Sequence, residues 1–192
     1  MFETRATLLM RLNPGSDSRE LAWEEFCTLY EPIIAGFARR VGIPLDQIPD
    51  LVQQVLTGFF AAQPRFVYDP SAGRFRGYLK TCVINEARRI RDRDAASRQR
   101  ERQRLRLDEE SDDRWDGEWE RQQLTLAVQR VREHYEDNTT FAAFYAVVVL
   151  GRAPGEVALD LGISRDAVYQ ARTRLLARLR LELAHVASQM GE

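Results

Sequence analysis

Apolar residues recur along most of this chain at spacings of three and four, the period of amphipathic helices. Thr4 to Leu12 is a short piece of this kind, with Leu8, Leu9 and Leu12 on one side, broken by Asn13-Pro14-Gly15. A longer helix is predicted from about Arg19 to Val41. Leu21, Phe26, Leu29, Tyr30, Ile33, Ile34, Phe37 and Val41 form its broad apolar face, and Gly42 and Pro44 stop it. The next helix, about Leu45 to Ala62, points Ile48, Leu51, Val52, Val55, Leu56, Phe59 and Phe60 inward. Pro49 falls in its first turn, where a missing N–H costs little. Pro64 to Gly73 reads as a loop rich in aromatics and turn formers (Phe66, Tyr68, Asp69-Pro70). Phe75 opens a long helix that continues through Ile90 into a charged run.

The second half is predicted to resume near Glu118, with Trp119, Leu124, Leu126, Val128 and Val131 on one helix that ends at Asp137-Asn138. Thr140 to Leu150 is almost wholly apolar and is expected to be the buried helix of a small bundle. It is too short to span a membrane, which takes about 20 apolar residues. No alternation of period two is visible, so the expected fold class is all-α. Two helical domains, 19–95 and 118–188, follow an N-terminal extension, 1–18, and flank a charged linker, 96–117, that is partly disordered or weakly helical.

The stretch from Pro154 to Arg180 carries the sharpest local pattern. Ala158 is small enough for a second helix to cross closely over the first, and Gly162 can take the left-handed backbone that ends a helix and reverses the chain. Ile163 follows as an apolar plug, Ser164 is a good N-cap, and Val168 points back at the first helix. This is the steric pattern of a helix-turn-helix, whose second helix enters a DNA major groove. An ordinary helical hairpin would share Ala-x-x-x-Gly, but Val157, Leu161, Ile163 and Val168 also fall in phase.

Composition narrows the field. The chain has 192 residues, 44% of them hydrophobic, enough for real cores. Glu3 lies beside Arg5 with no signal-peptide layout, so a cytoplasmic location is expected. Cys27, Cys82, His134 and His185 are solitary, which argues against a disulfide or a metal site, and no cofactor is expected. The net charge of −1 hides a strong segregation. Arg74 to Arg106 carries twelve basic residues against four acids, whereas Asp108 to Glu120 carries eight acids and only Arg114. Such blocks make local fields that a total conceals. Lys80 is the one lysine, and arginine abundance by itself says little beyond codon usage in a GC-rich genome.

With these elements in place, the chain resembles the extracytoplasmic-function (ECF) group of bacterial RNA polymerase sigma factors from Leu21 to Leu183. Asp50-Leu51-Val52-Gln53-Gln54-Val55-Leu56 is similar to the group's Asp-Leu-Val-Gln-Glu-Val-Phe, with Gln54 in place of the usual Glu. Phe75-Arg76-Gly77-Tyr78-Leu79 with Asn85, Arg88 and Arg89 resembles its Phe-Arg-x-Trp-Leu, Asn and basic pattern. Gly151-Arg152-Ala153-Pro154 leads into the helix-turn-helix as in the group, and Ile163-Ser164 through Val168, Arg174 and Leu179-Arg180 resembles its recognition helix. Thr7 to Leu12, Val168-Tyr169-Gln170-Ala171 and Trp115/Trp119 are similar to planctomycete-type members.

The resemblance implies a subunit with two domains, called regions two and four, that binds core RNA polymerase and directs it to promoter DNA. Asp50, Gln53 and Gln54 would dock on the β′ clamp helices, and region four on the β flap. Phe66, Tyr68 and Phe75 would wall a site for unstacked bases of the −10 element, worth about 1–3 kcal/mol per stacked base. Asn85 would read a base edge, and Lys80, Arg88 and Arg89 would hold phosphates; Tyr78 is expected to be mostly structural. Ser164, Arg165, Asp166, Tyr169, Gln170 and Thr173 would face the −35 element, where Arg suits guanine and Gln adenine. Arg172, Arg174 and Arg178 would hold phosphates. Ala171 stands where the wider group often has Arg, which implies that this contact is missing or shifted to Arg172. An anti-sigma factor is a further partner that the resemblance allows.

Competing classes explain less. A stand-alone helix-turn-helix regulator leaves the Asp50 helix, the Phe66 loop and Asn85 without a role. An enzyme acting on nucleic acid needs clustered carboxylates or His/Cys ligands, and the acids of 108–120 lie in the linker with no histidine beside them. A helical adaptor for other proteins would be told apart by whether it co-elutes with core polymerase.

Overall fold

The computed structural model describes residues 8–9, 11–12, 19–62, 75–94, 111–135 and 138–190. Among them the fold is all-α: α1 (Arg19–Arg40), α2 (Ile48–Ala62), α3 (Phe75–Asp94), α4 (Ser111–His134), α5 (Asn138–Val148), α6 (Pro154–Leu161) and α7 (Arg165–Met190). The chain divides into two compact units, Met1–Gln122 with Ser188–Glu192 and Gln123–Ala187.

In the first unit α1, α2, α3 and the start of α4 surround an aromatic core. Phe26 stacks on Phe59 at 4.7 Å between ring centroids and meets Phe75 edge-on at 5.8 Å. Tyr30 contacts Phe75 at 5.2 Å and Trp119 at 5.7 Å, while Phe37 contacts Trp115 at 5.3 Å. Edge-to-face pairs of this kind add to burial because ring edges and faces carry opposite partial charge. Leu51 and Val55 of α2 and Leu79, Val83 and Ala87 of α3 fill the remainder. α1 ends where Gly42 takes φ 81°, and the Ile43 N–H returns to the Ala38 carbonyl at 3.0 Å. Arg91 of α3 donates to the Val41 carbonyl just beyond the end of α1. Pro32 lies inside α1, and the helix runs through it.

The structure departs from the sequence expectation in three places. Residues 96–110 of the expected linker lie outside the described residues; from Ser111 one helix runs on through 118, where the second domain was expected to start, and its residues to Gln122 belong to the first unit. The cause is Trp115 and Trp119, which are buried in the aromatic core despite their acidic neighbours. Leu21 and Phe60, expected inward, are exposed. α5 is buried on only one side: Tyr145 and Val148 are exposed, as are Val149 and Leu150 just beyond its end.

The second unit holds Gln123–His134 of α4, then α5, α6 and most of α7. Ala143, Ala146, Val157, Ala158, Val168 and Ala171 form one buried cluster, with Leu161 and Ile163 packed against it. Val131, Phe144 and Leu175 form a second. Pro154 opens α6, where its missing N–H is harmless. Gly162 closes α6 with φ 65° and ψ 31°, and the Ile163 N–H bonds the Ala158 carbonyl at 3.0 Å. The Ala167 N–H then donates to Ser164 Oγ at 3.1 Å, capping α7. The tight turn expected between these two helices, with its αL glycine and its serine cap, is therefore present.

Candidate nucleic-acid and polymerase interfaces

α2 separates its residues cleanly. Leu51, Val52, Val55 and Leu56 are buried, and Asp50, Gln53 and Gln54 are exposed on the other side. Asp50 sits in the first turn, where the helix dipole favours a carboxylate. The exposed set offers one anion and two amides, each amide able to donate and accept. A polar protein surface is the natural complement of such a face.

α3 carries two kinds of surface position. Gly77, Thr81, Asn85 and Arg89 are exposed and recur every four residues, so they form one open stripe. Thr81 turns its hydroxyl inward to donate to the Gly77 carbonyl at 2.9 Å, leaving Asn85 and Arg89 as the outward polar groups of the stripe. Arg89 Nε lies 3.2 Å from Glu86. Arg76, Lys80 and Arg88 are half-buried on the flank. Arg76 pairs with Asp116 and Lys80 with Asp112, both from α4. Burial pushes the Lys80 ammonium below its ordinary pKa; Asp116 works against that shift and Arg76 with it.

One expectation for this face changes. Phe75 is 1% exposed at the centre of the aromatic core, so it builds the domain and is not a wall for an unstacked base. Tyr78 packs on Phe59 and Phe75 at 6.2 and 6.3 Å between centroids, in keeping with a structural role. Burial raises its phenol to about 12, helped by the Cys82 thiol one turn on, to which it is hydrogen-bonded. Phe66 and Tyr68 lie outside the described residues. The acidic partners Asp112 and Asp116 were not anticipated as part of this surface, although the abrupt switch of charge before Asp108 was a visible signal.

On α7, Val168, Ala171 and Leu175 face the core, and the first turns present Arg165, Asp166, Tyr169, Gln170, Arg172, Thr173 and Arg174 to solvent. Ser164 is exposed, but its hydroxyl oxygen is engaged as the cap. Arg178 is half-buried and pairs with Glu182 at 2.7 Å. Ala171 is 5% exposed, so its side chain fills the core and its small size removes no surface contact. Arg165 lies against α6: a Cβ on Gly155 would come within 2.8 Å of its Nη2 and 3.2 Å of its Cζ.

Among the described residues no group of His, Cys, Asp and Glu could hold a metal ion, and no helix is long and apolar enough to cross a membrane. Residues 26–96 match the family model for Sigma-70 region 2, a stretch that takes in most of α1 and all of α2 and α3. The match supports a sigma-70 family factor, working in transcription initiation with core RNA polymerase and promoter DNA as partners. No curated protein and no solved structure matches the chain.

Proposed function

We propose that the chain is an alternative sigma factor of the ECF group, resembling planctomycete-type members, that acts in the cytoplasm and has no enzymatic activity of its own. One observation carries this reading: a segment matching Sigma-70 region 2 is followed by a helix-turn-helix whose second helix turns Arg165, Asp166, Tyr169, Gln170 and Thr173 outward. In this reading Asp50, Gln53 and Gln54 dock on the β′ clamp helices and the second unit on the β flap. Asn85 reads an unstacked base of the −10 element, and Arg88 and Arg89 hold the backbone. The first turns of α7 read the −35 element in the major groove. An anti-sigma factor would be a further partner.

Run-off transcription with core polymerase on genomic fragments tests this. The expected result is promoter-specific transcripts that require the chain and vanish with Asp50→Arg/Gln53→Ala, while helicity by circular dichroism is retained. Tight sequence-specific binding by the isolated chain, with no association with core polymerase, would establish a stand-alone helix-turn-helix regulator instead.

A further inference from the structure

α3 and α4 meet in the first unit through a charge ladder. Arg76 and Lys80 are one turn apart on α3, and Asp112 and Asp116 are one turn apart on α4. They pair in antiparallel order, Arg76 with Asp116 and Lys80 with Asp112. Beneath the ladder, Trp115 and Trp119 are buried, and the Arg76 guanidinium lies over the Trp119 ring at 5.2 Å. Glu118 pairs with Arg40 on the same side of α4 as the tryptophans.

We propose that the acidic first turns of α4 stand in for nucleic acid on the basic flank of α3, so that a DNA strand must displace the carboxylates of Asp112 and Asp116 to reach Arg76 and Lys80. The inference rests on the reading above that α3 faces promoter DNA, and it gives that face an intramolecular gate. Magnitudes decide which part of α4 moves. Truncating a buried tryptophan costs about 3–5 kcal/mol, so Trp115 and Trp119 hold the helix in place. The carboxylates sit at the rim, with the Asp112 side chain 81% and the Asp116 side chain 56% exposed. Ion pairs with such exposed partners are worth only about 0–1 kcal/mol each. The exchange is therefore a swing of side chains, carboxylate for phosphate, with the helix still docked. Its consequence is weak binding of DNA by the free chain, relieved where a DNA strand is delivered at high local concentration.

The test compares full-length Asp112→Asn/Asp116→Asn with the parent for binding a fluorescein-labelled single-stranded oligonucleotide of mixed sequence, by anisotropy across a salt series. The double variant should bind about fivefold tighter, and its slope of log affinity against log salt should steepen by about 1.4, as for two added phosphate contacts on a single strand. Glu31→Gln/Asp46→Asn makes the same charge change at exposed positions outside the ladder and should gain less than about twofold. Adding Lys80→Gln to the double variant should remove about half of the steepening. If a thermal melt shows that the double variant has lost its fold, Asp112→Asn alone carries the same comparison with about half the gain in slope. Binding equal to the charge-matched control overturns the proposal, and so does weaker binding, which would make the acids organisers of the basic side chains. A pull-down with core polymerase, run in parallel, reports separately on the sigma-factor reading, because oligonucleotide binding does not depend on it.

Discussion

The carboxylate of Glu118 occupies the space in which a Cβ on Gly36 would stand, with its Cδ only 2.7 Å from that position. Glycine about one turn before the end of α1 thus leaves a notch for α4, and Glu118 uses it to reach Arg40. Gly36→Ala should change stability by less than about 1 kcal/mol, since the gain in helix propensity offsets the shift of a flexible side-chain end. Gly36→Leu should destabilise the first unit by about 1–3 kcal/mol through overpacking and shift the emission of Trp115 and Trp119 toward that of exposed indole. Urea unfolding followed by fluorescence measures both. Equal stability for the leucine variant would mean that α4 does not depend on the notch.

Phe75 and Asn85 lie on one helix but should fail in different ways. Phe75→Ala removes a ring that contacts Phe26, Tyr30 and Phe59, and should cost about 3–5 kcal/mol of stability. Asn85→Ala alters an exposed side chain and should leave stability within about 0.5 kcal/mol. On a promoter it should reduce strand opening more than closed-complex formation, because a flipped base is available to it only after unstacking. Chemical denaturation and permanganate footprinting separate the two effects. Equal losses in closed and open complexes for a stable Asn85→Ala would remove it from base reading.

Much of this was legible because steric rules act locally. Gly162, Ser164 and Ala158 specify the turn of the helix-turn-helix through backbone sign, cap and side-chain size, each readable from one residue. The faces of α2 follow from period, Phe60 apart. What escaped was set by distant partners. Trp115 read as part of a polar linker and Trp119 as part of the second domain, because acidic neighbours set the average, and only the aromatic core formed by Phe37 and Tyr30 turns both inward. Phe75 looked equally fit for a base pocket and for the core, since both want an aromatic ring. The apolar run of α5 implied full burial, yet nothing in its composition marked which side would be left exposed. Ala171 read as a lost contact because the resemblance supplied a residue type without a facing direction.

Tyr78 predicts a pH dependence with a defined sign. Its pKa rises from 10.0 to about 12 on folding, chiefly through burial and then through Cys82. A group whose folded pKa is raised contributes its stability fully below the unfolded value and loses it as pH climbs through the folded one. Stability should therefore fall between pH 10 and about 12 as the phenolate forms more readily in the unfolded chain. Cys82, also raised by burial, adds an earlier loss that begins above its ordinary 9.0. Tyr78→Phe keeps the ring packing and removes the later part. Urea melts across this range should show the parent losing stability faster than the variant, and parallel curves would refute the assignment.

The proposed reading of −35 DNA by α7 makes a divisible prediction. Arg165 and Gln170 project from the first turns of α7, where a helix points into the groove, while Arg174 lies further along, where it passes over the backbone. Arg165→Ala or Gln170→Ala should relax preference at single positions of the −35 element by about 1–3 kcal/mol for a lost bidentate contact. Arg174→Ala should weaken all sequences alike and flatten the salt dependence by about one unit of slope. Gly155 sharpens the test, since Arg165 rests where its Cβ would be. Gly155→Val should therefore displace the guanidinium and blur the same position that Arg165→Ala blurs, with the arginine still present. Transcription across a −35 substitution library at two salt concentrations reads all four variants. A change at one base with Arg174→Ala, and none with Arg165→Ala, Gln170→Ala or Gly155→Val, would mean that α7 docks on DNA in a different register, with its later turns in the groove.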